Sequence, residues 1–229
     1  MMIQDIIAGM NTMHRSFSIA ILMMASTIAI ATKAAAQTDA IVTHTAVIRT
    51  TLGDIDVNLY GEDAPKAVEN FIGLAKQGFY RGLRFHRVIP KFVIQTGDPT
   101  TTDTNRRSEW GLGGKSIWGK PFEDELNPNS PSFRQGYAEG TLAMANRGPN
   151  TNTSQFFIVL NNSIKLEKRY TIFGRVVTGD TTNKSMDVVH AIERADLADP
   201  RLGLPVRPVM VIDVVVTPVP ASTEPKKGK

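Results

Sequence analysis

Two stretches of the chain carry residue types that could do chemistry together. The first is Phe85-His86-Arg87-Val88-Ile89-Pro90-Lys91-Phe92-Val93-Ile94-Gln95-Thr96-Gly97-Asp98. The second is Leu142-Ala143-Met144-Ala145-Asn146-Arg147-Gly148-Pro149-Asn150-Thr151-Asn152-Thr153-Ser154-Gln155-Phe156-Phe157-Ile158. In the first, Phe85, Arg87 and Ile89 alternate with His86 and Val88, Pro90-Lys91 interrupts, and Phe92 to Gln95 resume the alternation. A strand, a tight break and a second strand bring Arg87, Phe92 and Gln95 near one another. The second stretch passes from a polar loop with a Gly148-Pro149 turn signal into an apolar run that reads as a buried strand. Together they offer a guanidinium, glutamines, an asparagine and aromatic rings. They offer no nucleophile with a base and no carboxylate pair.

That inventory suits a reaction in which no bond is cleaved. Rotation about an Xaa-Pro peptide bond is slow because it breaks amide resonance, against a barrier of roughly 18–20 kcal/mol. In the twisted transition state the proline nitrogen becomes pyramidal and gains a lone pair. A guanidinium donor aimed at it stabilises the twisted form more than the planar one. An apolar pocket can hold the ring. No metal, nucleotide or other cofactor is required.

The two stretches resemble the signature of the cyclophilins, the peptidyl-prolyl cis-trans isomerases, and the resemblance runs from about Ala46 to Val216. It implies that Arg87 is the catalytic group. It implies an apolar pocket of Phe92, Val93, Phe157 and Leu166, and peptide-binding groups at Gln95, Ala145, Asn146 and Gln155. Tyr170 stands where many members have a histidine lining the proline pocket. Lys165 stands where cyclosporin-binding members have a tryptophan, so weak cyclosporin binding is expected. The substrates implied are unfolded or extended proline-containing polypeptides. A non-catalytic binding module or chaperone using the same groove is the alternative.

Other features are weaker. His86, between Phe85 and Arg87, reads as a packed, hydrogen-bonded residue rather than a base, since a neighbouring arginine disfavours a second cation. Gly114-Lys115-Ser116 has the end of a phosphate-loop pattern, but Glu109 occupies the position of its first glycine. His14, His44, His86 and His190 are too scattered for a metal site.

The 229 residues carry a formal charge of +4 and no cysteine. Disulfides and thiolate metal sites are excluded. No basic stripe interleaved with aromatics is present, so nucleic acid is not an expected partner. Residues 1–36 read as a signal peptide. Phe17 to Ala31 is apolar, Ala34-Ala35-Ala36 offers a cleavage site before Gln37, and translation could equally begin at Met13. The expected product is periplasmic or secreted, free of the membrane after processing, and monomeric.

The elements that must position the two stretches follow from pattern. A lead-in covers 37–45, the isomerase domain 46–216 and a disordered tail 217–229. Residues 44–60 form a hairpin broken near Leu52-Gly53-Asp54. Ala64 to Gln77 is a helix with Pro65 in its first turn and Gly78 as terminator. Ser185 to Ala195 is a second helix, and Val209 to Val216 a closing strand. The resemblance implies a mainly β fold, a closed eight-stranded antiparallel barrel capped by these two helices. Residues 100–110, 179–184 and 200–208 read as extended loops.

Overall fold

A computed structural model of the chain describes residues 39–162, 166–178 and 182–220. The expected signal peptide, most of the expected tail, Lys165 and part of the 179–184 loop lie outside the described residues.

Among the described residues ten strands form: β1 (His44–Thr50), β2 (Gly53–Leu59), β3 (Arg87–Ile89), β4 (Val93–Thr96), β5 (Thr141–Met144), β6 (Phe156–Val159), β7 (Ile172–Val176), β8 (Leu197–Asp199), β9 (Leu204–Pro205) and β10 (Val211–Pro218). Eight of them make one antiparallel sheet in the order β10-β1-β2-β7-β5-β6-β4-β3, and β8 and β9 pair apart. The sheet is strongly curled but open, not the expected closed barrel. Its two edges are joined outside the named strands, by a bridge between Arg84 and Met210 and by backbone hydrogen bonds from Gly82 N–H to Val211 O, Val211 N–H to Leu83 O and Phe85 N–H to Val209 O. The physical reason is the length of β3. Only three residues are extended there, and no ladder between β3 and β10 forms. Strand β10 continues through Thr217 and Pro218, which pair with Thr45 and His44, so the tail expected from 217 begins later.

Among the described residues three α-helices form rather than two: α1 (Pro65–Lys76), α2 (Pro131–Gln135) and α3 (Ser185–Glu193). Helix α1 starts at proline, whose missing N–H costs nothing in the first turn. Its cap residue, Ala64, offers no side-chain acceptor. Glu125 supplies one from a distant loop, taking the Lys66 N–H at 2.9 Å and the Ala67 N–H at 3.0 Å on its two oxygens. A carboxylate at a helix N-terminus satisfies orphan donors and opposes the macrodipole.

Strand parity sorts the apolar residues into two cores. Phe156 and Ile158 of β6, Ile94 of β4, Leu142 and Met144 of β5, and Phe173 of β7 face the main core. Helix α1 adds Val68, Phe71 and Leu74 to it, and α3 adds Val188, Val189 and Ile192. Phe71 meets Phe156 edge-on at 5.5 Å between ring centroids. Phe157 and Val159, Val93, Ala143 and Ile172 face the other way and form a second, smaller cluster with Tyr60 and Tyr137. A one-residue slip of β6 would exchange these two faces.

Candidate active site

The simple alternation read from 85 to 89 does not hold. Phe85 and Val88 both enter the main core, because the strand spans only Arg87–Ile89 and Phe85 and His86 lie before it. The tight break at Pro90-Lys91 is present. Lys91 has φ 61°, and the Phe92 N–H closes the turn on Ile89 O at 3.0 Å. Arg87 then lies opposite Gln95, Gln95 opposite Phe157, and Phe157 opposite Ala143. Side chains directly opposite share one face of a sheet. Four strands therefore set a guanidinium, an amide and an aromatic ring in one row.

The polar end of that row is a directed relay. Arg87 Nη1 donates to Gln95 Oε1 at 3.3 Å. Gln95 Nε2 donates to Gln155 Oε1 at 2.8 Å. Gln155 Nε2 donates to the carbonyls of Gly111 at 3.0 Å and Gly113 at 2.6 Å. Gln155 is only 5% exposed, and its amide is satisfied as burial demands. Burial draws the half-buried Arg87 guanidinium below its ordinary value, with Tyr170 opposing that shift. An arginine stays cationic regardless.

The carbonyls that end the relay are held by Asp98, which is fully buried. Its carboxylate accepts from the N–H of Gly111 at 2.5 Å, of Gly113 at 3.0 Å and of Thr100 at 2.8 Å. A Cβ built on Gly113 would lie 2.2 Å from Asp98 Oδ1, so glycine is required there. Asp98 also caps one of the two short 3-10 turns, Pro99–Thr102 and Thr104–Glu109, that fill the segment read as an extended loop. The same kind of surprise occurs at 200–208. The β8–β9 hairpin lies over edge strand β3, and Val88 N–H donates to Gly203 O at 2.7 Å.

The apolar residues expected in the pocket are brought together. Phe92, Leu166, Tyr170 and Ala145 pack, partly buried, against Val93 and Phe157. Phe157 and Tyr170 meet edge-on at 5.4 Å between centroids. Tyr137 pins Tyr170 through its backbone. Its hydroxyl donates to Tyr170 O at 2.8 Å and accepts from Tyr170 N–H at 2.9 Å. Burial pushes the Tyr137 phenol up to about 12, which keeps it protonated and able to donate.

Ala145, Asn146, Arg87, Gln95 and Gln155 border one cleft of about 790 Å³. The Asn146 side chain ties neighbouring loops together, donating to Arg169 O at 3.0 Å and Asp124 Oδ1 at 3.3 Å. His86 is 4% exposed and burial lowers its pKa. Its ring nitrogens reach no partner in hydrogen-bond geometry, although the Arg84 carbonyl and the Gln155 amide are their polar neighbours.

Asp98, Gly111, Gly113, Arg107 and Leu202 belong to this neighbourhood and were not singled out as site residues from sequence. Asp98 before Pro99 carries the usual signal of a capped turn. The others come from irregular segments with no periodic pattern to betray them.

The family model described as cyclophilin type peptidyl-prolyl cis-trans isomerase/CLD matches residues 45–216. The chain is 46% identical over 168 residues to peptidyl-prolyl cis-trans isomerase ppi1 of Schizosaccharomyces pombe, covering 73% of this chain and 96% of that protein. It is 46% identical over 143 residues to peptidyl-prolyl cis-trans isomerase-like 1 of Aspergillus fumigatus, covering 62% of this chain and 81% of that protein. A crystal structure of a Cryptosporidium parvum cyclophilin type isomerase, determined in the presence of the dipeptide Ala-Pro, superposes with a TM-score of 0.63 at 33% identity. That match covers 76% of this chain and 98% of the other.

Proposed function

The chain belongs to the cyclophilin-type peptidyl-prolyl cis-trans isomerases and has that activity, and from this premise we propose that Arg87 is its catalytic group. The single observation carrying the assignment is the relay from Arg87 through Gln95 to Gln155, set beside the apolar cluster of Phe92 and Phe157. The proline ring enters the pocket formed by Phe92, Val93, Phe157, Leu166 and Tyr170. The amide to be rotated lies over Arg87 and Gln95, and Ala145, Asn146 and Gln155 border the flanking chain. As the bond twists, the proline nitrogen gains a lone pair, and the Arg87 guanidinium donates to it. The planar amide offers no such acceptor, so the interaction favours the transition state. The relay keeps the guanidinium in place without adding a countercharge. A group fixed before reaction needs no reorganisation during it.

A proline peptide is the natural ligand for such a pocket, and the Ala-Pro dipeptide named with the Cryptosporidium structure supports that reading. The clients we propose are extended proline-containing segments of exported proteins. That finer role rests on the apolar run Phe17–Ala31 followed by Ala34-Ala35-Ala36, which would release a periplasmic or secreted monomer starting near Gln37. The non-catalytic alternative is not favoured, because the guanidinium and the pocket aromatics it would dispense with are all present. Turnover of a proline tetrapeptide by the purified protein, followed by a coupled protease, tests the reading. Acceleration well above the uncatalysed rate supports it, and the uncatalysed rate alone would leave only a binding module.

A further inference from the structure

Past Arg87 the cleft is walled by segments that the catalytic reading does not use. Arg107 and Trp110 come from the segment after Asp98, Leu202 and Leu204 from the β8–β9 hairpin, and Arg147 from the loop after β5. Three guanidiniums, those of Arg87, Arg107 and Arg147, thus border one cleft whose lining contains no carboxylate. Among the described residues none of the three forms an ion pair. Arginines nearby behave differently: Arg106 pairs with Glu109, and Arg201 with Asp199.

Backbone carbonyls hold the unpaired cations instead. Arg147 Nη2 donates to Gly111 O at 2.8 Å. Arg107 donates to Pro205 O and, at 3.3 Å, to Val206 O. Its Nε is buried with no acceptor. The Trp110 ring lies 4.9 Å from the Arg107 guanidinium, fixing its plane. Carbonyl oxygens orient a guanidinium but do not neutralise it. The result is a positioned, electropositive recess continuous with Arg87, with Leu202, 66% exposed, at its rim.

We infer that this recess is a subsite for an acidic side chain of the polypeptide substrate, a few residues from the proline. The inference rests on the isomerase reading above. An extended chain advances about 3.3–3.6 Å per residue, so an aspartate or glutamate two or three positions from the proline reaches past Arg87. Its carboxylate would meet the forks of Arg147 and Arg107, a geometry that guanidinium groups match. Trp110 and Leu202 would cover its methylenes.

The test uses hexapeptides identical except for Glu, Gln or Lys two or three positions before or after the proline. Exchange is followed by NMR without a protease, at low salt. For the position that enters the recess, kcat/KM for the Glu peptide should exceed that for the Lys peptide by about fivefold or more. The ratio should shrink as salt screens the charges. Arg147→Glu, an exposed position, should reverse the preference, and Arg107→Ala, checked for folding by circular dichroism, should reduce it. Equal kcat/KM for Glu and Lys at every position overturns the subsite, as does an Arg147→Glu enzyme with the wild-type ratio. Turnover of the Gln peptide stands apart from both results. Its presence leaves the isomerase reading intact if the ratio is one, and its absence removes that reading and the subsite together.

Discussion

Gln95 Nε2 donates to Gln155 Oε1 at 2.8 Å, joining a residue on β4 to one just before β6. This bond fixes the sense of both amides. Gln95 must present its oxygen to Arg87, and Gln155 must present its nitrogen to the carbonyls of Gly111 and Gly113. The Arg87 guanidinium is thereby tied to a loop held in turn by Asp98.

Breaking the relay should therefore cost activity through a residue that need not itself contribute charge. Gln95→Ala is expected to lower kcat about tenfold with little change in KM, since it frees Arg87 from its partner while leaving the pocket intact. Gln155→Leu should also lower stability by about 1–3 kcal/mol, because two carbonyls lose a buried donor. Kinetics beside urea melts separate the two effects. A Gln95→Ala enzyme with unchanged kcat would show that the relay does not position Arg87.

Two pocket aromatics should behave differently. Phe157 is buried in the second core, whereas Phe92 packs against it only partly buried. Phe157→Ala is expected to cost about 3–5 kcal/mol of stability as well as substrate affinity. Phe92→Ala should raise KM with a much smaller stability loss. Equal stability losses, read from denaturant midpoints, would contradict this division between floor and rim.

Burial lowers the pKa of His86 from 6.5, so the unfolded chain takes up a proton that the folded protein refuses. The sign follows from that difference. Stability is intact above pH 6.5 and falls as pH drops below it. The slope approaches about 1.4 kcal/mol per pH unit for one proton. His86→Asn should flatten the wild-type curve between pH 6.5 and about 5, where carboxylates begin to titrate. Parallel curves of Tm against pH for the two proteins would mean that His86 takes up its proton alike in the folded and unfolded states.

Asp98→Ala removes the acceptor shared by Gly111, Gly113 and Thr100. Loss of a buried charged acceptor of this kind is expected to destabilise the protein by about 2–4 kcal/mol. Hydrogen exchange should rise across residues 99–113 before it rises in α1. Uniform protection across both segments would show the loop to be held by other means.

Cyclosporin should inhibit weakly. Tyr170 is pinned by Tyr137 and closes the pocket against Phe157, where many family members carry a histidine. In the sequence Lys165 stands where cyclosporin-binding members have a tryptophan, and a lysine lacks the flat apolar face and the indole donor. A loss of about 10²-fold in affinity is expected. Inhibition at low nanomolar concentration in an activity titration would refute it.

Much of this arrangement was legible in the residues. The break at Pro90-Lys91 announced the hairpin that sets Arg87 against Gln95, and Pro65 with Gly78 bounded α1 nearly to the residue. The parity of Phe156 and Phe157 was not legible, because a strand covered on both faces shows no alternation of apolar and polar residues. Helix α2 was invisible because five residues carry no periodicity. Barrel closure depended on pairing between strands far apart in sequence, which a three-residue β3 does not support. Asp98 and Arg107 were missed for a different reason. Their importance lies in backbone groups they hold, and backbone groups leave no mark in a sequence.

The central claim is that one guanidinium stabilises the twisted amide. Arg87→Ala, shown folded by circular dichroism and by an unchanged urea midpoint, should lose about 10²-fold or more in kcat/KM for a prolyl tetrapeptide. Arg87→Lys should recover little, since a point charge lacks the planar fork. A folded Arg87→Ala protein that isomerises the peptide at a near wild-type rate would contradict the account.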